Sequence, residues 1–299
     1  MRYWFLLALG WALSFVLYGR RLKNRELPWK AALPAGLAGL ILGPALAKVS
    51  YVLLLWPRQI GRYGIQALIM LDNPAEYCVF GGIAGLCIAA AVMARVGCLP
   101  VARCMDAFAP CAALMLGFIR LGEYELDTLG LGGYLTEEHP LARPPFAVQN
   151  SWEEWFWAVF LLEAAVALAV ALIFALRRDR VPGLTLELTL FFLALAQILM
   201  ESFRARCMKW GFVRVEQVLC AVLAVALICR ACWKLRLLWP VEGAVLSVLI
   251  VVWAELGLDK WSSFPDWTVY LIMAFALVRM GVIEGILARR RSKAARAAV

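Results

Sequence analysis

Apolar runs dominate the pattern of this chain, recurring at about 3–19, 31–56, 75–96, 104–121, 153–176, 184–203, 212–233, 241–257 and 267–288. Each approaches the roughly 20 apolar residues that a helix needs to cross a hydrocarbon core. The pattern therefore predicts an all-α fold class, a polytopic transmembrane helical bundle of about nine spans. The second run carries Gly39, Gly43 and Pro44, and is expected to tilt or break near them. Two long polar connections stand out. Residues 57–74 contain Arg58 and Arg62, and residues 122–152 are rich in glycine and proline and hold the single histidine, His139. A connection of the second length is either a lid or substrate entrance, or a tolerated surface insertion.

Composition sharpens this picture. The chain is 64% hydrophobic and 17% charged, with mean hydropathy +0.79. Soluble domains run at about 45 to 50% apolar and about 25% charged, so one large water-soluble core is excluded. Trp29, Trp56, Trp152, Trp239 and Trp267 fall near predicted span ends, where an interfacial indole is favoured. The first run needs no cleavage as a signal peptide, because Gly19-Arg20-Arg21 follows it in place of a small-residue cleavage site.

The net charge of +9 would suggest nucleic acid in a soluble chain, but here it sorts by connection, so no nucleic-acid partner is expected. One set of connections holds Arg20, Arg21, Lys23, Arg25 and Lys30, then Arg95 and Arg103, Arg177, Arg178 and Arg180, Arg230, Lys234 and Arg236, and finally Arg289 to Arg296. The other set holds Glu123, Glu125, Asp127, Glu137 and Glu138, and the Glu255/Asp259 turn. The positive-inside rule places the N-terminus outside and the C-terminus in the cytoplasm. The nine cysteines are odd in number and dispersed in apolar runs, so they read as small hydrophobes. Cys229-Arg-Ala-Cys232 has redox spacing without a thioredoxin-like context. With one histidine and no thiolate cluster, neither a metal nor another cofactor is expected.

Candidate chemistry lies in the charges that hydrocarbon makes expensive, about 2.5 to 3.5 kcal/mol each at a helix centre on insertion scales. They are Lys48, Arg120, Glu163, Glu201, Arg204, Glu216, Arg279 and Glu284. Arg120 sits in Gly117-Phe-Ile-Arg-Leu-Gly122, where the glycines admit close neighbours and the guanidinium can fork onto a phosphate or snorkel outward. Gln197, Glu201 and Arg204 share one helix face, so the carboxylate either orients the arginine for a phosphate or locks the bundle. Glu216 and Gln217 start the next helix from the same side. They either join that cluster or, for Glu216, favour a helix N-terminus. Lys48, three residues before Tyr51, faces an anion site or snorkels. Gly81-Gly82 permits close contact with a helix or an acyl chain and lacks any nucleotide-binding form. Arg279 and Glu284 are five apart and are not expected to pair along their own helix, so Arg279 meets either Glu163 or a headgroup instead.

In their order these pieces resemble the prolipoprotein diacylglyceryl transferase family over roughly residues 1–238. The resemblance rests on Lys48-Val-Ser-Tyr51, Phe80-Gly-Gly-Ile-Ala-Gly85, Asp106-Ala-Phe-Ala-Pro110, Arg120-Leu-Gly-Glu-Tyr124, Met200-Glu-Ser-Phe-Arg204 and Val215-Glu-Gln-Val-Leu219. It implies a seven-helix transferase-like core at 1–238 with external loops at 57–74 and 122–152. Two additional helices follow at 239–288, and a basic cytoplasmic tail at 289–299. It also implies a phospholipid-dependent transferase of the bacterial cytoplasmic (inner) membrane. Such an enzyme moves a diacylglyceryl group from phosphatidylglycerol to the lipobox cysteine of a preprolipoprotein or a related acceptor.

On the matching positions, the resemblance makes Arg120, Glu201 and Arg204 the catalytic residues. Lys48, Tyr51, Gly81, Gly82, Glu123, Gln197 and Gln217 become the substrate-binding ones. Four positions depart from the pattern. Phe80 stands where the family has histidine, Glu123 where it has asparagine, and Gln197 and Lys48 where it has arginine. Phenylalanine cannot take a proton, so a base for thiol attack has to come from Glu123, Glu201 or His139. The alternative is a non-catalytic lipid-binding or membrane assembly protein derived from the family. A transporter or flippase using Lys48 and Arg279 is a third class.

Overall fold

A computed structural model describes residues 2–71, 73, 76–125, 130–177, 181–210, 213–260 and 266–297. Pro74, Asp127, Arg178 and Arg180 lie outside them, as does the side chain of Asp259. Among the described residues nine helices are long and apolar enough to cross a membrane, so the fold is an all-α polytopic bundle. The chain divides into two compact units, Met1–Arg177 and Arg178–Val299.

The first unit contains α1 (Arg2–Asn24), α2 (Ala32–Leu54), α3 (Trp56–Tyr63), α4 (Val79–Val96), α5 (Val101–Gly122) and α6 (Val159–Leu176). The second run does not break: α2 continues through Pro44. A proline inside a membrane helix is tolerated where a packed neighbour compensates, and α4 lies along α2. Small residues make that seam. A Cβ on Gly81 would run into the Leu46 carbonyl and into the Ser50 side chain at 2.6 Å. One on Gly85 would run into the Leu42 carbonyl and lie 3.0 Å from the Gly43 Cα. Spaced by four, the two glycines let one backbone rest on the other.

Two arginines read from sequence as topology signals also hold this unit together. Arg21 donates to the carbonyls of Ala175 and of Asp106, the latter at 3.3 Å. Arg25 Nη1 lies 3.5 Å from the fully buried Asp106 carboxylate. The connection at 122–152 is not featureless. Strands β1 (Tyr134–Leu135), β2 (Ala147–Gln149) and β3 (Trp155–Trp157) form an antiparallel sheet in the order β1-β3-β2, with Tyr134 opposite Phe156 and Ala147 opposite Trp157. Trp155-Phe-Trp157 suits a half-buried strand, so α6 starts at Val159, six residues after the apolar run does.

The second unit contains α7 (Leu184–Phe203), the hairpin β4 (Lys209–Trp210) and β5 (Val213–Arg214), α8 (Val215–Leu235), α9 (Trp239–Lys260) and α10 (Asp266–Ala297). The basic stretch from Arg289 onward is helical through Ala297. It continues α10, as its run of alanine, arginine and lysine favours. Arg291 of this stretch is buried, donating to Glu187 on α7 and to Glu284 on α10, and Arg230 Nη2 lies 3.1 Å from Glu187. Arg291→Leu leaves the buried Glu284 without its arginine. It is expected to lower unfolding stability by about 3 kcal/mol, the scale of a broken buried pair, as read by equilibrium unfolding in detergent.

Candidate functional site

In the first unit the last turn of α5 delivers Arg120 into the interior. Gly117 and Gly122 flank it because larger residues would collide with neighbours: a Cβ there would lie 2.7 Å from Leu168 on α6 and 2.7 Å from the Tyr3 ring on α1. Arg120 is only 2% exposed, so its guanidinium is held inside rather than snorkelled. Its Nη1 donates to Glu123 Oε1, and its Nε lies 2.9 Å from Glu163 Oε2 on α6. Two buried carboxylates thus hold the arginine's plane in place.

Glu123 also forms the polar end of a cavity of about 400 Å³ lined by α1, α2, α4 and α5. Tyr3 and Tyr77 flank that end, while Leu7, Trp11, Ile83 and Leu86 contribute to an apolar body. The size falls within the roughly 300 to 1,000 Å³ range of small-molecule sites, and the plan of apolar walls with a few polar groups is theirs too. After Glu123 the chain returns at Gly130, whose φ of +74° favours glycine and where an added Cβ would lie 2.6 Å from the Phe160 Cβ and from Glu123 Oε2.

The paired glycines separate by role. Gly81 faces α2, whereas Gly82 lines the cavity, where a Cβ would meet Ala47 at an ordinary 3.6 Å. Lys48 is buried beside this wall. Its Nζ lies 2.7 Å from Glu76 Oε2 and 5.6 Å from the Tyr77 ring centre. The Tyr51 hydroxyl accepts from Gln59 of α3 at 3.4 Å. His139 belongs to the sheet-bearing connection: its Nδ1 accepts the Leu141 N–H at 3.2 Å, and its ring stands edge-on to Trp157. Phe80 is half-buried on α4.

In the second unit the end of α7 and the start of α8 gather the remaining polar residues. Gln197 Nε2 donates to Glu201 at 3.3 Å and to Glu216 at 3.5 Å, so Glu216 does join the cluster. Arg204 ends α7 in extended backbone and is buried. Gln217 Nε2 donates to Ser202 Oγ at 2.9 Å, to the Ile198 carbonyl at 3.1 Å and to Glu255 at 3.3 Å. Arg214 Nε lies 2.7 Å from Glu255, and its Nη1 donates to the carbonyls of Glu201 and Arg204. Burial pushes the nearby Cys207 thiol up, with Arg214 acting in the opposite sense, so this cysteine is not primed as a thiolate.

Glu76, Ser202, Arg214 and Glu255 were not singled out from sequence as site residues. Glu255 was readable by the same cost argument as Glu201, being a carboxylate in an apolar run. The nearby Asp259 made it look like part of an external turn, but α9 continues through it to Lys260.

A family model described as prolipoprotein diacylglyceryl transferase matches residues 1–233. A search of curated proteins finds no match.

Proposed function

Because this chain belongs to the prolipoprotein diacylglyceryl transferase family, we propose that it transfers a diacylglyceryl group from phosphatidylglycerol to the cysteine thiol of a preprolipoprotein. It works at the external face of the bacterial inner membrane, with its N-terminus outside and its C-terminus in the cytoplasm. Residues 1–238 form the transferase core, to which the last two spans are added.

One observation carries this proposal: a large apolar cavity ends in a carboxylate that is itself held by a buried arginine. The acyl chains occupy the apolar body, and the phosphate lies at the polar end within reach of Arg120. Glu123 takes the proton from the acceptor thiol. The sulfur then attacks the terminal glyceryl carbon, one S–C bond forms, and the C–O bond to the phosphate breaks. Glycerol phosphate leaves with the electron pair of that bond, and the fixed guanidinium stabilises its growing charge. In the second unit, taken by itself, Arg204 with Glu201 is assigned a catalytic role, and Gln197 and Gln217 substrate contacts. Lys48, Tyr51, Gly81 and Gly82 are assigned to the substrate-binding side of the first unit.

Among the candidate bases, Glu123 is favoured because it lines the cavity, whereas His139 is engaged in its own connection. Glu123→Gln is expected to lower kcat by about 10²- to 10⁴-fold, the range of general-base losses, while labelled phosphatidylglycerol is still retained. The assay combines purified protein, labelled phosphatidylglycerol and a lipobox peptide, and counts thioether product. Phe80 favours the second reading, a lipid-binding descendant without the chemistry. Retention without any product by the unaltered protein would select it.

A further inference from the structure

We infer that Glu255, on a helix beyond the residues that match the family model, is a positioning residue for Gln217 and for the α7 terminus that presents Glu201 and Arg204. The inference rests on the transferase reading given above and deepens it.

The amide of Gln217 is oriented by what surrounds its nitrogen. Ser202 Oγ donates its hydrogen to Glu255 Oε2 at 2.7 Å, so its lone pairs face Gln217. The Ile198 carbonyl and the Glu255 carboxylate are acceptors only. Three acceptors around one NH₂ fix that end of the amide inward and turn its carbonyl oxygen the other way. The second oxygen of Glu255 takes Arg214 Nε at 2.7 Å, and Arg214 in turn binds the main-chain carbonyls of Glu201 and Arg204. One carboxylate on α9 therefore sets both an amide on α8 and the backbone that closes α7.

This arrangement is more than a fastening for the extra helices. Those helices are already secured near the start of α7, where Arg291 of α10 meets Glu187. At the Glu255 end the polar groups border a slot of about 110 Å³ whose other walls include Val218, Val252 and Leu277, so they face space rather than a packed core.

The test measures the phosphatidylglycerol KM, kcat and melting temperature of the full chain in nanodiscs, with a lipobox peptide as acceptor. Glu255→Gln is expected to raise KM about 10-fold with kcat changed less than about 3-fold, and Glu255→Asp to recover most of that loss. Glu284→Gln, which weakens the fastening at the other end, is expected to lower the melting temperature and leave KM unchanged. Should Glu255→Gln shift only the melting temperature, or match Glu284→Gln in KM, the positioning role is overturned while Arg120-dependent transfer by the unaltered chain leaves the transferase reading standing. Absence of both lipid retention and transfer in the unaltered chain overturns that reading, and this inference with it.

Discussion

Arg120→Ala is expected to reduce diacylglyceryl transfer by about 10³-fold, the upper scale for removing one preorganised donor at a charged transition state. It is also expected to lower stability by about 3 to 5 kcal/mol, because Glu123 and Glu163 then lose their shared buried cation. The two effects are separable with lysine. Arg120→Lys keeps a positive charge between the carboxylates but not the planar fork that spans them. Most of the stability should return with little of the transfer. Rates from labelled phosphatidylglycerol and equilibrium unfolding of the same preparations check both statements, and undiminished transfer by Arg120→Ala would remove the chemical basis of the proposed function.

The neighbouring glycines of α4 offer the second large effect, because identical substitutions should fail in different ways. At Gly81 an added side chain meets the main chain of α2, which cannot yield without moving a helix, so Gly81→Leu is expected to cost about 3 kcal/mol or more. At Gly82 the first added atom finds an ordinary 3.6 Å contact, and the rest of a leucine projects toward the cavity. Gly82→Leu is therefore expected to keep the melting temperature within a few degrees and to weaken phosphatidylglycerol retention about 100-fold, a loss of about 2.7 kcal/mol. Lipid retention and thermal unfolding measured together decide the matter, and equal behaviour of the two variants would move the lipid away from this cavity.

Much of this was legible from residue order. Nine apolar runs became, among the described residues, nine span-length helices, because hydrocarbon leaves a helix as the simplest way to satisfy the backbone of such a run. The desolvation cost of a charge singled out Arg120, Glu201 and Lys48, each of which the fold buries. Partners were less legible. Helical periodicity indicates which residues share a face, but not which face of another helix turns toward it. Glu163 was thus recognised as costly, but Arg279 was offered as its partner where the fold supplies Arg120, and Glu76, 28 residues from Lys48, was missed. The sheet at 134–157 was hidden for another reason. Its strands are two or three residues long, and the apolar content of β3 blended into the run that starts α6.

Arg291 gives the last helix a fixed depth. A long apolar rod in a fluid bilayer can slide along its own axis at small cost, since one lipid contact replaces another. Here a single step of about 1.5 Å per residue would drag a buried guanidinium away from Glu187 on a neighbouring rod. Meanwhile Arg289 and Arg290, side by side with it in sequence, stay exposed. One inward cation beside two outward ones acts as a stop, fixing the register of α10 against α7.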